Sequence, residues 1–177
     1  PDGMVDTVMT NWPNFNHRMM RNDFVGDQIT KTTNHRKVKF AAKEVLADLP
    51  AGKEGVETLY DFVRDLVEWN GELSIYAEKS LDRAYDESNA NSGEMNMMLI
   101  RLLREGGYEA NPVLMSTRGH GKVKEEYPIA TQFNHTLTAV KIDGNWNLID
   151  ASSPDGCMDL LPKYCLNDKG FMMNKKD

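Results

Sequence analysis

The clearest hydrophobic pattern of the chain covers residues 91–107, NSGEMNMMLIRLLREGG. Its apolar side chains recur at i, i+3, i+4, i+7 and i+8, the spacing that places them on one side of an α-helix. Gly106 and Gly107 follow the last of them, as is typical of a helix C-terminus. The segment therefore predicts a helix, and its apolar positions are Met95, Met98, Leu99, Leu102 and Leu103.

Weaker patterns predict further helices before this one and a strand after it. The segment 35–50 has a helical pattern and ends at a proline, which disfavours helix in the residue before it. The segment 54–71 carries an apolar stripe at helical spacing and ends at a glycine. A short helix is predicted over 78–88, and residues 111–117 are typical of a strand.

Residues 132–150, QFNHTLTAVKIDGNWNLID, predict a β-hairpin. Asp143-Gly144 favours a two-residue type I′ turn, because both positions need a positive φ. That register places His135 and Asp150 on one face as a diagonal pair within side-chain reach. The same face is the more apolar one and is predicted to pack on the helices; it collects Phe133, His135, Leu137, Ala139, Trp146, Leu148 and Asp150.

The length of 177 residues suits one domain with a sizeable core. Residues 1–20 are rich in Pro, Gly and Asn, and the chain does not start at an initiator Met. We therefore expect a tail or linker from a longer parent protein over 1–20, with Trp12 and Phe15 docking on a domain that spans 21–177. The polar segment 117–132 is either a lid over a cleft or a solvated loop.

Composition excludes several classes of partner and site. The formal net charge of −6 argues against nucleic acid as a partner, and the apolar runs are too short to insert this domain into a membrane. We expect no cofactor and no structural zinc or calcium, because ligand clusters and acidic loop patterns are absent. Cys157 and Cys165 are either a local disulfide or two free thiols. The sequence does not indicate the cellular location.

The paired His135 and Asp150 fit two interpretations. They are either an ordinary hydrogen-bonded pair or half of a site in which a carboxylate orients a histidine that activates a nucleophile. The nucleophile would come from an element that packs on this face, and the obvious candidate is the first turn of the predicted helix 91–107, NSGEMN, which contains Ser92. A structural role explains Ser92 equally, since Asn91 and Glu94 have the spacing of a capping box and Ser is a common capping residue.

The stretches SGEMNMMLIRLLREGGYEANPVLMST and FNHTLTAVKIDGNWNLIDAS resemble the transglutaminase-like superfamily, within the papain-like fold, over about residues 55–166. The resemblance implies an α+β domain in which N-terminal helices pack on an antiparallel β-sheet. It places Ser92 where the family has a catalytic Cys, and matches His135 and Asp150 to the other two triad members. The backbone N–H of Ser92 becomes the best candidate for an oxyanion donor, and Trp69 either belongs to the core, lines the cleft or helps to shape the oxyanion site.

The family chemistry is acyl transfer or amide hydrolysis, but the substitution of Ser for Cys matters. A helix N-terminus and an imidazolium lower the pKa of a thiol, whereas a Ser hydroxyl gains no ionisation from them. We therefore expect a degenerate site in a binding or scaffolding module. Its partners would be a peptide or protein segment in the cleft and the other domains of the parent chain. The alternative is an active Ser-His-Asp hydrolase of peptide amides. The resemblance extends to a bacterial subgroup of exported proteins, which implies a periplasmic or cell-surface location.

Overall fold

A computed structural model describes residues 11–174. Helices come first, the last of them lies at the centre, and an antiparallel sheet follows it. The helices are α1 (Trp12–Met20), α2 (Gly26–Thr30), α3 (Arg36–Ala41), α4 (Lys43–Ala47), α5 (Gly52–Leu66), α6 (Leu81–Asp86) and α7 (Ser92–Glu105). The strands are β1 (Glu68–Trp69), β2 (Asn89–Ala90), β3 (Ala110–Met115), β4 (His135–Ile142), β5 (Asn145–Ile149) and β6 (Gly170–Met172).

Helix α7 is the centre of the core and confirms the prediction for 91–107. All of its residues from Ser92 to Leu103 are buried. Its predicted apolar stripe packs on α5 and on the sheet, and the rest of its surface is covered by the preceding short helices and loops. A helix buried on all sides holds its first turn in a fixed place, which matters for any side chain at that end.

The main sheet has the strand order β5-β4-β3-β6, and every neighbouring pair in it is antiparallel. The hairpin prediction is confirmed in its register, because Ile142 pairs with Asn145 across the turn. Asp143 and Gly144 have φ values of 49° and 82°, the two positive angles that a type I′ turn requires. With the helices on one side of this sheet, the fold is α+β, as predicted.

The prediction of which sheet face meets the helices is wrong. Thr138 donates its hydroxyl to the Asn96 carbonyl of α7 at 3.2 Å, so the face with the even-numbered residues of β4 lies on the helix. The opposite face forms a second, smaller core with residues 161–165. Trp146 and Leu148 lie on that opposite face and are 40% and 45% exposed. The more apolar face is therefore the one away from α7.

Three predicted helix boundaries also need correction. The helix expected over 35–50 is two short helices, α3 and α4, separated at Ala42. The helix expected over 54–71 ends at Leu66, because Glu68 and Trp69 pair in parallel with β2. The helix expected over 78–88 is limited to α6. The end at Leu66 depends on a strand pairing with distant residues, which a local pattern does not contain.

Residues 12–20 of the predicted tail form helix α1 on the surface of the domain. Phe15 and Met19 are 2% and 5% exposed, and the Trp12 ring stacks on Phe171 of β6 at 4.9 Å. The expected docking of Trp12 and Phe15 is thus present. Residues 1–10 lie outside the described part of the chain, and the expectation that they belong to a linker stays a prediction.

The structure also shows the state of the cysteines and the position of the polar segment 117–132. Cys157 and Cys165 are both free thiols.

The polar segment runs beside α1, where the Glu125 carbonyl accepts a hydrogen bond from the Trp12 indole, while Ser92 is covered by residues 72–76 instead. Within residues 11–174, no helix is long and apolar enough to cross a membrane.

Candidate functional site

Ser92 is fixed at the start of α7 by a complete capping box. The side chain of Asn91 accepts the Glu94 N–H at 2.9 Å, and the Glu94 carboxylate accepts the Asn91 N–H at 2.9 Å. The two bonds satisfy orphan N–H groups of the first turn. Because Asn91 is the capping residue, Ser92 is the first residue of the helix and its hydroxyl is left for other partners.

The structure brings Ser92, His135 and Asp150 together in one line of hydrogen bonds. Ser92 Oγ lies 3.0 Å from His135 Nδ1, and His135 Nε2 lies 2.9 Å from Asp150 Oδ2. A proton on Nε2 that is donated to the carboxylate leaves Nδ1 as an acceptor for the Ser92 hydroxyl. This is the arrangement in which an imidazole can take a proton from a hydroxyl, although the catalytic role of the three residues stays a prediction.

Asp150 is held by more groups than His135. Asn96 Nδ2 donates to Asp150 Oδ1 at 3.0 Å, and the N–H and hydroxyl of Ser152 donate to the same oxygen at 3.0 and 2.7 Å. The Tyr164 ring lies edge-on to His135, with ring centroids 6.0 Å apart. The carboxylate is therefore fixed from α7, from β4 and from the turn that follows β5.

The pKa of Asp150 reflects a balance between burial and these bonds. Burial raises it, but the hydrogen bond and the charge of His135, with smaller effects of Ser152 and Asn96, leave the pKa below its ordinary value of 3.8. Burial also raises the pKa of the nearby Cys165 thiol, whose Sγ lies 3.9 Å from Asp150 Oδ2. At neutral pH the site therefore holds a carboxylate beside a protonated thiol.

The lowered pKa of Asp150 predicts how stability depends on acid. Because the pKa of Asp150 is lower in the folded chain, the unfolded chain takes up the proton first as pH falls. The contribution of Asp150 to the unfolding free energy is therefore full above about pH 4 and is lost as pH drops through the folded-state pKa. We expect wild type to lose more unfolding free energy between pH 6 and pH 3 than Asp150→Asn does. Urea denaturation at both pH values measures this difference, and equal losses in the two proteins would contradict it.

The site is closed in this conformation. Ser92 and His135 are fully buried, and Asp150 is 2% exposed. The Ser92 N–H, the candidate oxyanion donor, donates to the Glu72 carbonyl at 3.0 Å. Ser92 Oγ accepts the Ser74 N–H at 2.9 Å and lies 3.3 Å from the Ser74 carbonyl oxygen. The hydroxyl and the amide that a substrate would have to meet are thus both engaged by the chain itself.

One group of side chains in the site has the composition of a metal site. Potential ligand atoms of His135, Asp150 and Cys165 all lie within 4.8 Å of one another. To bind an ion, His135 and Asp150 would have to give up their mutual hydrogen bond, and the Cys165 thiol, whose pKa is raised, would have to lose its proton. These side chains fit a metal poorly, and the expectation of no metal or cofactor stays a prediction.

The sequence pattern missed Asn96, whose side chain makes four hydrogen bonds in the site. Its amide nitrogen also donates to the Ser92 carbonyl at 3.0 Å, and its amide oxygen accepts the Ala151 N–H at 3.1 Å and the Thr138 hydroxyl at 3.1 Å. A signal was present, because Asn96 is four residues after Ser92 and hence on the same side of the helix.

Comparison with solved structures supports the fold. The chain superposes on a candidate protease from Parabacteroides distasonis with a TM-score of 0.53 and 8% identity, over 80% of this chain and 29% of that one. It superposes on a TGase with a TM-score of 0.50 and 12% identity, over 81% and 37%. A candidate cysteine protease from Cytophaga hutchinsonii gives 0.49 and 16%, over 86% and 43%. The first two superpositions show that the fold is that of the TGase and the candidate protease, and the chain spans less than half of each of the three neighbours.

No protein-family model matches the sequence, and no curated protein matches it.

Proposed function

We propose that this domain is a non-catalytic, transglutaminase-like module in which Ser92, His135 and Asp150 form a structural hydrogen-bond network. Its role would be binding or scaffolding within a larger exported protein. The observation that supports this proposal is the closed site, in which Ser92 and His135 have no exposed surface. A serine nucleophile needs a free N–H to stabilise the oxyanion as it attacks, and the Ser92 N–H is already bonded to Glu72.

The alternative is a Ser-His-Asp hydrolase of peptide amides, and one observation favours it. The two hydrogen bonds of the triad are 3.0 and 2.9 Å long, within the range expected for a nucleophile and its base. For catalysis, the segment over Ser92 would have to move away before a substrate could reach the hydroxyl.

A fluorophosphonate probe separates the two functions, because it forms a bond only with an activated and accessible serine. We expect no labelling of the wild-type protein above the level of Ser92→Ala, with an established serine hydrolase labelled in parallel as the positive control. Hydrolysis of peptide amides should likewise be undetectable. Labelling of wild type that disappears in both Ser92→Ala and His135→Ala would show the hydrolase instead.

A further inference from the structure

Two N–H groups converge on one carbonyl oxygen at the start of α7. The Ser92 N–H and the indole Nε1–H of Trp69 each donate to the Glu72 carbonyl oxygen, both at 3.0 Å. A pair of donors directed at a single oxygen is the arrangement that stabilises an oxyanion or binds a peptide carbonyl. Here the oxygen that fills the position belongs to the chain itself.

The segment that supplies this carbonyl continues across the nucleophile position. Ser74 contacts Ser92 Oγ through both its N–H and its carbonyl group. Two residues further on, the Tyr76 carbonyl accepts a hydrogen bond from the Asn91 side chain at 3.1 Å. The contacts with the helix N-terminus are therefore made by backbone groups of the segment, as they would be for a bound peptide.

Further contacts fix the segment at Ile75 and at Ala77. Ile75 and Ala77 are 3% and 1% exposed, and the Ala77 N–H donates to the Phe24 carbonyl at 2.8 Å. The Thr136 hydroxyl of β4 lies 3.4 Å from the Ile75 carbonyl oxygen. These contacts hold the backbone of residues 72–77 against the N-terminal part of the domain, at Phe24, and against strand β4, at Thr136.

Gly93 provides the space in which the segment lies. A Cβ atom at position 93 would be 2.8 Å from the Tyr76 carbonyl oxygen and 3.0 Å from that of Ser74, and both are backbone atoms. Glycine inside a helix costs about 1 kcal/mol relative to alanine, so its presence in the first turn of α7 needs a reason. The close approach of residues 74–76 supplies that reason.

We propose that residues 72–77 are an internal plug, which lies over the N-terminus of α7 as a bound peptide backbone would, at the place where the proposed function expects the cleft. The inference rests on the proposed function and deepens it, because the plug takes the place of the peptide expected in the cleft. Access to Ser92 from outside requires the plug to leave both Gly93 and the two donors, Trp69 and Ser92.

The experiment is amide hydrogen exchange on the intact chain, compared between wild type and Gly93→Ala. The Ser92 and Ser74 amides report directly on the plug, because their partners are Glu72 and the Ser92 hydroxyl. We expect both amides to exchange at least about tenfold faster in Gly93→Ala, while Leu102 and Leu103 in the middle of α7 keep their protection. Equal exchange at Ser74 and Ser92 in the two proteins would overturn the proposal.

Two further variants keep the test decisive. Gly119→Ala is the matched control, because a Cβ at this exposed loop position meets nothing within 4 Å, and its exchange should equal that of wild type. Trp69→Phe removes one donor to the Glu72 carbonyl and adds no volume, so it replaces Gly93→Ala if that variant fails to fold. No acceleration at Ser74 and Ser92 in Trp69→Phe would then overturn the plug.

The fluorophosphonate probe distinguishes failure of the plug from failure of the proposed function. If Gly93→Ala shows faster exchange and also becomes labelled at Ser92, the plug is supported and the non-catalytic function is wrong. If exchange accelerates and Ser92 stays unlabelled, both proposals are supported. Labelling of Ser92 in wild type at the rate found in Gly93→Ala would contradict the plug as a barrier to access.

Discussion

Replacing Asp150 by Ala is expected to destabilise the fold by about 3–5 kcal/mol, because several buried donors lose their acceptor together, at about 1–3 kcal/mol each. The variant leaves His135 without its acceptor and strands the Asn96 amide and both donors of Ser152 in the interior. Each buried donor that loses its acceptor lowers the unfolding free energy. Urea denaturation at pH 7, followed by circular dichroism, measures the change in unfolding free energy.

Two matched variants serve as controls for Asp150→Ala. Asp150→Asn keeps an acceptor oxygen for Asn96 and Ser152, and its NH2 can donate to His135 Nε2 once the imidazole proton moves to Nδ1, so its loss should be clearly smaller. Asp61→Ala removes an exposed carboxylate on α5 and should change stability by no more than about 0.5 kcal/mol. A loss below about 1 kcal/mol for Asp150→Ala would mean that the network contributes little to stability.

The parts of the fold that local physics determines could be predicted from the sequence. The Asp143-Gly144 turn needs two positive φ angles, and these set the register that placed His135 and Asp150 within reach of each other. The stripe of α7 and its capping box are likewise features of neighbouring residues. For this reason the sequence pattern already places His135 beside Asp150, whereas the choice of Ser92 rests on the family resemblance.

The choice of the sheet face failed because it was made from the number of apolar residues. Helix α7 presents the backbone carbonyl and the amide oxygen of Asn96 to the sheet, and the hydroxyl of Thr138 lies within hydrogen-bond distance of both, so polar residues belong on that face. The apolar side of the hairpin is partly covered by residues 161–165, which lie beyond the hairpin in sequence. Neither partner can be inferred from the hairpin alone.

The closure of the site was also beyond a local pattern. The sequence indicated the Ser92 N–H as a candidate oxyanion donor and Trp69 as a core or cleft residue, and the structure directs an N–H group of each at the Glu72 carbonyl. That contact depends on β1 pairing with β2, which turns the chain after Trp69 and returns it over α7. The local clue was Gly93, a helix-breaking residue placed where a helix begins.

Asn96→Asp is expected to be as damaging at neutral pH as Asp150→Ala, with a loss of at least about 4 kcal/mol, because it buries a second carboxylate beside Asp150. Asn96 Nδ2 lies 3.0 Å from both Asp150 Oδ1 and the Ser92 carbonyl oxygen, so an oxygen in its place faces two acceptors. Protonation of the new carboxyl restores a donor to Asp150.

The pH dependence identifies this cause. Two adjacent buried carboxylates raise the folded-state pKa of the pair above its unfolded value, so the folded form of Asn96→Asp binds the extra proton. Its stability should therefore be higher at pH 5 than at pH 8, opposite in sign to the acid dependence that Asp150 gives the wild type.

Asn96→Ala removes the same donor without adding charge, and its deficit relative to wild type should be nearly equal at the two pH values. Urea denaturation at pH 5 and pH 8, or the folded fraction by circular dichroism if Asn96→Asp is unfolded at pH 8, measures the effect. The same pH dependence in both variants would mean that the amide nitrogen of Asn96 does not face Asp150.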